Sequence, residues 1–339
     1  MTKPILMTAL GVAMIVGTAG AGAATLDDVK SRGELICGAN SAGLPGFAIT
    51  DDKGEWVGFD IDHCRAIVAA IFGDPTKVRF VPLNAKERFT ALQSGAVDVL
   101  VRNTTWTMTR DTELGLNFTG VNYYDGQGFM VRKDLGVTSA LELDGASVCV
   151  QTGTTTELNL ADYFRANSIQ VNPVVFEQSS EAVQSYESGR CDSYTTDASG
   201  LYSQRLTLAN PADHMVLPEI ISKEPLGPAV RQGDDQWFNL VKWTGFALLE
   251  AEEYGVTQAN VEEMKASENP NIRRLLGSEG SYGSAIGLDN DWAAKTIAAV
   301  GNYGEIFDRN IGPDTPLGIA RGLNALWTEG GLQYGMPIR

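Results

Sequence analysis

The sequence predicts an α/β fold of two similar lobes facing each other across a crevice, each lobe a mostly parallel sheet flanked by helices. Three observations predict it. Apolar strand-like runs alternate with amphipathic helical stretches, the pattern of a sheet covered on both faces. The same strand and helix order then occurs a second time along the chain. Finally, 339 residues, about 315 without the leader described next, exceed what one small core serves and suit two domains.

At the N-terminus, Met1-Thr2-Lys3 precedes an apolar run from Ile5 to Val16 and the small-residue stretch Gly17 to Ala24. This reads as a secretory signal peptide over residues 1–23, with Ala21 and Ala23 at cleavage spacing. The apolar core is shorter than the roughly 20 residues that span a bilayer, so no stable membrane insertion is expected. No cysteine occurs before Cys37, which argues against a lipid anchor.

The first α/β set runs in order along the chain. A strand is expected over Glu34–Ala39, then a helix carrying Cys64, Ile67, Val68 and Ile71 on one face. A strand at Val78–Pro82, a helix over Ala85–Ser94 and a strand at Val97–Val101 follow. The second set has a strand at Ser147–Gln151, a helix over Thr156–Ala166, a strand at Val171–Phe176, a helix over Ser180–Ser188 and a strand near Asp192. Leu92-Gln93-Ser94-Gly95-Ala96-Val97-Asp98 echoes Tyr186-Glu187-Ser188-Gly189-Arg190-Cys191-Asp192. That register sets Asn103 against Asp197, each past the carboxyl end of an equivalent strand, where open α/β sheets bind ligands. Hinge closure is the natural motion of such a clamshell.

Composition narrows the function classes. The net charge of −16 repels nucleic acid and anionic membrane surfaces alike. In an oxidising compartment the four cysteines, Cys37, Cys64, Cys149 and Cys191, form disulfides. Of three connectivities, Cys37 with Cys64 and Cys149 with Cys191 is favoured, because each pair stays within one half of the chain. With only His63 and His214, neither a zinc site nor a histidine-dependent triad is expected, and no metal or cofactor is expected.

Three polar clusters fall near strand ends. Arg102-Asn103-Thr104-Thr105-Trp106-Thr107-Met108-Thr109-Arg110 offers guanidinium groups, whose fork matches a carboxylate. Gln151-Thr152-Gly153-Thr154-Thr155-Thr156-Glu157 opens a helix, with Thr154 as cap and Glu157 completing a capping box. Helix-end amides of this kind also bind anions. Asp197 either caps the following helix or aims a carboxylate across the crevice at a cation. An arginine fork, helix-end amides and a carboxylate together form a receptor for a zwitterion with α-carboxylate and α-ammonium.

These residues carry a family resemblance. Gly58-Phe59-Asp60-Ile61-Asp62, Leu92-Gln93-Ser94-Gly95 with Asp98, the threonine-rich loop ending in Arg110, Gln151-Thr152-Gly153-Thr154-Thr155 and Thr196-Asp197 stand in the order typical of one family. The chain resembles the polar amino-acid-binding proteins of ABC importers, solute-binding family 3. Asn103 to Thr107 and Asn122-Tyr123-Tyr124-Asp125-Gly126-Gln127-Gly128-Phe129 are similar to its general L-amino-acid-binding branch. The resemblance implies a periplasmic-binding-protein clamshell with residues 24–122 and 226–339 in one lobe, 123–225 in the other, and two hinge strands near Val121–Tyr124 and Ser222–Gly227. It also implies that Arg110 holds the ligand α-carboxylate, helped by Thr105 and the amides near Thr154 and Thr155. Asp197 and the Asn103 carbonyl would take the α-ammonium.

Phe47 and Trp106 are the aromatic candidates for side-chain contact, in a cleft otherwise poor in them; such a cleft suits broad selection. The implied partners are L-amino acids and the inner-membrane permease subunits of an ABC importer, met by a monomer in the periplasm. Replacing Arg110 or Asp197 by alanine is expected to spare the fold and cripple binding. The rival readings are a periplasmic amino-acid-related dehydratase on the same scaffold and the ligand-sensing part of a receptor. The stretch from Ser278 to Asn290 receives no role.

Overall fold

The structure, a computed structural model, describes residues 24–339; the signal peptide assigned to residues 1–23 lies outside the described residues. Two five-stranded sheets organise the chain. The first takes its strands in the order Val78–Leu83, Leu35–Asn40, Val99–Leu100, Ala229–Arg231, Leu116–Phe118. The second runs Asn172–Phe176, Ser147–Gln151, Ser193–Asp197, Gln127–Arg132, His214–Val216. In each sheet the first three strands are parallel, and the fourth is antiparallel to both neighbours. Each sheet is thus mostly parallel, as expected, with one strand in five reversed. Its reason is the chain's route: the fourth strand is the one entered directly after the chain crosses between sheets. It starts at the crevice edge, where the parallel strands end.

The crossings themselves pair. Tyr123–Asp125 lies antiparallel to Glu224–Leu226 in a two-stranded ribbon, with Tyr124 opposite Pro225. Outside both sheets, Asn324 is 3% exposed and flanks this ribbon. Its Oδ1 accepts from the Tyr124 amide at 2.7 Å, and its Nδ2 donates to the Tyr124 carbonyl at 3.1 Å.

Burial follows the sequence pattern. Leu35–Asn40 is buried at every position, as a central parallel strand covered on both faces should be. The helix Phe59–Phe72 buries Cys64, Ile67 and Val68 against the helices Asp235–Glu253 and Trp292–Val300. Gly58 has φ of 133° and an added Cβ would sit 2.2 Å from the Phe47 carbonyl oxygen. Only glycine fits there, which gives the Gly58-Phe59-Asp60 motif a physical reason. Ile286 and Leu288 are buried in the same core as Trp292, so the stretch without an assigned role serves packing.

Cys37 on its strand is bonded to Cys64 on the covering helix, and Cys149 to Cys191, with Cα separations of 6.3 and 5.7 Å. Each bridge stays within one lobe and spans 27 and 42 positions. Loops of that length stabilise by about 3 to 4 kcal/mol each in the chain-entropy account. No helix among the described residues is long and apolar enough to cross a membrane.

Candidate functional site

The parallel strands of both sheets deliver their carboxyl ends to one cleft. It encloses a space of about 30 Å³ lined by residues of both lobes, among them Asn40, Arg88, Arg102, Asn103, Thr105, Gln151, Thr154, Thr155, Tyr194 and Asp197. The lobes touch on either side of it. Ser203 Oγ donates to the Pro45 carbonyl at 2.8 Å, and the exposed Lys86 pairs with Glu177 at 3.4 Å.

Asn103 follows the strand Val99–Leu100 in the left-handed region, with φ of 32°, a conformation asparagine tolerates better than most residues. The turn is held by its amide, which donates to Asp60 Oδ2 at 3.1 Å. Its carbonyl, expected to face the ligand ammonium, accepts from Arg88 Nη1 at 3.4 Å. Thr105 Oγ1 donates to Glu224 Oε2 at 2.7 Å, and Thr155 Oγ1 donates to the same oxygen at 2.7 Å.

Thr154 caps the helix Thr155–Ala166: its Oγ1 accepts from the Glu157 amide at 3.1 Å. The expected capping box is incomplete. Glu157 Oε2 accepts from the Gly153 amide at 3.0 Å and from Thr152 Oγ1 at 3.1 Å, not from the cap residue's own amide. Gly153, with φ of 74°, turns the chain so that its amide reaches that carboxylate.

Asp197 ends the strand Ser193–Asp197 and makes no side-chain capping bond to the helix Ala198–Arg205, so of its two readings the structure favours the carboxylate facing the cleft. It is 6% exposed. Burial pushes its carboxyl well above the usual range, and the nearby Asp125 and Glu224 push it further, offset by Arg88 and the Asn103 side chain. Burial and the two like charges outweigh that offset and drive the carboxyl towards its neutral form.

Arg110, on the short helix Met108–Thr112, is buried. Its Nη1 donates to the Thr105 carbonyl at 2.8 Å, and the guanidinium lies 5.0 Å over the Phe89 ring. Arg110 does not line the cleft space, whereas Arg88 and Arg102 do. The aromatic candidates fare worse. Phe47 is 1% exposed and packs edge-on against Phe59 and Tyr123, with ring centroids 6.0 and 5.5 Å away. Trp106 stacks on Phe118 at 5.6 Å. Phe47 is core because the turn at Gly58 seats the loop on that aromatic cluster, and Trp106 is held by its ring partner; neither borders the cleft.

Sequence reasoning missed Arg88, Glu224, Asp60 and Asp125. Arg88 stands one turn before Leu92 on the helix Glu87–Gln93, both on its buried face; a charge on an apolar helical face was the available signal. Glu224 shares a strand face with Leu226, and both are buried. Asp60 is pushed up to about 7 by burial, opposed by the Asn103 amide and Arg102. Asp125 is pushed up to about 6 by burial, opposed chiefly by Ser199. Among the described residues no cluster of His, Cys, Asp and Glu is placed to hold a metal ion, and neither histidine lines the cleft.

A pH dependence follows from Asp197. Its folded pKa is raised, so at lower pH more of the empty protein carries a neutral Asp197, and an ammonium ligand must displace that proton. Ligand affinity is therefore expected to fall on acidification and binding to release protons. Calorimetry in buffers of different ionisation enthalpy checks this, and binding without proton exchange across the acidic range would refute it.

Two lobes joined by a paired ribbon, closing on a cleft with fixed charges of both signs, define a clamshell solute-binding protein. The chain belongs to the bacterial extracellular solute-binding proteins, family 3, whose sequence profile matches residues 35–260. It is 65% identical over 342 aligned residues to the general L-amino acid-binding periplasmic protein AapJ of Rhizobium johnstonii, covering 100% of both chains. It is 60% identical over 340 residues, again covering 100% of both, to the glutamate/glutamine/aspartate/asparagine-binding protein BztA of Rhodobacter capsulatus. A solved periplasmic binding protein of Brucella ovis with glutathione bound superposes with a TM-score of 0.92 at 67% identity, over 94% of this chain and 100% of that one.

Proposed function

We propose that this chain is the periplasmic solute-binding component of an ABC importer, capturing L-amino acids with broad specificity and delivering them to inner-membrane permease subunits. The observation that carries the reading is that Asp197, the guanidinium groups of Arg88 and Arg102 and the helix end at Thr155 line one interlobe cleft. An α-amino acid presents the matching charges on one carbon. In this reading Arg110 draws the α-carboxylate, supported by Thr105 and the amides at Thr154 and Thr155, and Asp197 takes the ammonium. Arg110 acts from behind the Thr105 carbonyl. The lobes comprise residues 24–122 with 226–339, and 123–225, and the ribbon Tyr123–Asp125 with Glu224–Leu226 is the hinge.

Neither the cleft nor the relatives favour the dehydratase alternative: the relatives are transport proteins, and no histidine reaches the site. Breadth is favoured by the many threonine, serine and asparagine side chains of the wall, which offer few large apolar contacts to discriminate one ligand side chain from another.

The test is the thermal midpoint of ligand-stripped protein against each of the twenty common amino acids and glutathione. Glutathione belongs in the panel because its glutamyl end carries the same α-carboxylate and α-ammonium. Ligands that bind only the folded state raise the midpoint. Shifts with many L-amino acids are expected; a shift with one alone overturns the breadth, and none at all overturns the reading.

A further inference from the structure

We propose that the C-terminal segment from Arg321 to Gln333 straps the ribbon between the lobes, with Asn324 as a positioning residue that favours closure; this rests on the ribbon being the hinge. Both five-stranded sheets are complete at Arg231, and the cleft is lined by residues up to Gln204. The family profile ends at residue 260. Neither the strands nor the cleft therefore needs the segment, yet Asn324 and Gln333 are buried, as is Tyr303 beside them.

Their partners lie on the first crossing. Tyr124 stands opposite Pro225 in the ribbon, and a proline has no N–H to offer. The Asn324 carboxamide takes both peptide groups of Tyr124, accepting at Oδ1 over 2.7 Å and donating from Nδ2 over 3.1 Å. It serves Tyr124 as the peptide of a further strand would. Earlier on the same crossing, the Asn122 carbonyl accepts from Tyr303 Oη at 2.9 Å and from Gln333 Nε2 at 3.3 Å.

The strap is anchored on the lobe that holds the C-terminus. Arg321 pairs with Glu252 of the helix Asp235–Glu253 at 2.9 Å, and its guanidinium lies over the rings of Tyr303 and Phe307 at 5.1 and 4.9 Å. Its Nε and Nη2 each donate to the Asn324 carbonyl at 3.1 Å, which fixes the residue that reaches the ribbon. The chain then folds back to set Gln333 near Asn324: the Leu332 amide donates to the Leu323 carbonyl at 2.8 Å and the Gln333 amide to the Ala325 carbonyl at 3.1 Å. An added Cβ at Gly331 would sit 1.8 Å from the Ala325 carbonyl oxygen, so this return needs glycine. Opening rotates the backbone of a hinge crossing. Tyr124 lies further towards the other lobe than Asn122, so its peptide groups turn away from the anchored Asn324, and a buried carboxamide loses both partners. The fraction of protein ready to hold a ligand depends on those bonds.

The experiment compares the ligand-stripped wild type, Asn324→Ala and the double variant Tyr303→Phe with Gln333→Ala. The readouts are small-angle scattering, amide hydrogen exchange and calorimetric titration with L-glutamine as the probe. Both variants are expected to expand the ligand-free protein, to speed exchange over residues 122–126 and to weaken L-glutamine binding about tenfold. The ligand-saturated proteins keep the wild-type radius, and Leu35–Asn40 and Ser147–Gln151 keep their exchange rates. Faster local exchange with unchanged radius and affinity overturns the proposal, because Asn324 then only packs against its own lobe. A contracted ligand-free variant overturns it as well. If Asn324→Ala does not fold, the double variant, which keeps the ring at position 303 and the Asn324 clamp, decides by the same readouts. Absence of L-glutamine binding by the wild type bears on the amino-acid reading alone; the ligand-free scattering still decides the strap.

Discussion

Replacing Asp197 with alanine is expected to weaken binding of every L-amino acid by at least about 100-fold while leaving the ligand-free protein as stable as before or more so. Closure buries the ligand ammonium, and a buried charge stripped of its partner costs about 3 to 5 kcal/mol. The lower figure alone exceeds a hundredfold in affinity. The remaining carboxylates cannot substitute. Asp125 is engaged by Ser199 and by the Gly126 amide, and Glu224 is occupied by hydroxyl donors. The fold, in contrast, loses little. Asp197 caps nothing, and its carboxyl is held above its ordinary range by burial and by two like charges, so the empty protein gains from its removal. Titration calorimetry together with a thermal scan separates the two effects. Near-normal affinity removes Asp197 from the site, and a collapsed midpoint with lost binding would make its role structural.

Arg110 differs, although the sequence reading treated the two residues alike. Its guanidinium holds the Thr105 carbonyl at 2.8 Å and sits in the field of Glu224. Removing it leaves the Thr105 carbonyl without this donor and takes away a cation that Glu224 favours, which bears on the fold as well as on the ligand.

What could be read without coordinates followed the periodicities. The alternation of strands and helices, the echo of Leu92–Asp98 in Tyr186–Asp192 and the apolar face through Cys64, Ile67 and Val68 are local signals, and each corresponds to an element of the structure. The place of Asp197 at a strand end was legible because the second half repeats the register of the first. The reversed fourth strand in each sheet was not, since its direction depends on where the chain re-enters the sheet. Phe47 and Trp106 illustrate the limit for side chains. Their type suits a ligand wall and a core equally; the tertiary placement of Phe59 and Tyr123 makes Phe47 core, while Trp106 stacks on Phe118 and stays 38% exposed. Arg88 and Glu224 were passed over for the opposite reason. Each is a charged residue at a position whose helical or strand neighbours on the same face are buried, and composition assigns such residues to solvent.

Glu224 carries the remaining large effect. It is 1% exposed and stands on the ribbon between the lobes, where its two oxygens collect four donors. Oε2 accepts from Thr105 Oγ1 and Thr155 Oγ1, each at 2.7 Å; Oε1 accepts from Asn159 Nδ2 at 2.8 Å and Ser222 Oγ at 2.6 Å. Thr105 belongs to one side of the cleft, and Thr155 with Asn159 to the other, so this carboxylate fastens the lobes together at the hinge. Alanine at this position leaves four donors without their acceptor in the closed arrangement only. In an open one, water reaches them. The loss of about 3 kcal/mol or more expected for breaking a buried charged network therefore falls on closure and not on either lobe. Glu224→Ala is expected to lower ligand affinity by about 100-fold and to expand the ligand-free protein in small-angle scattering, with both disulfide-linked lobes still folded. Glu224→Gln, which keeps the shape and one acceptor oxygen, should lie between. An unchanged scattering profile with unchanged affinity would show that the hinge closes without this carboxylate. A smaller radius than the wild type would show the opposite of a latch, a charge whose burial holds the lobes apart.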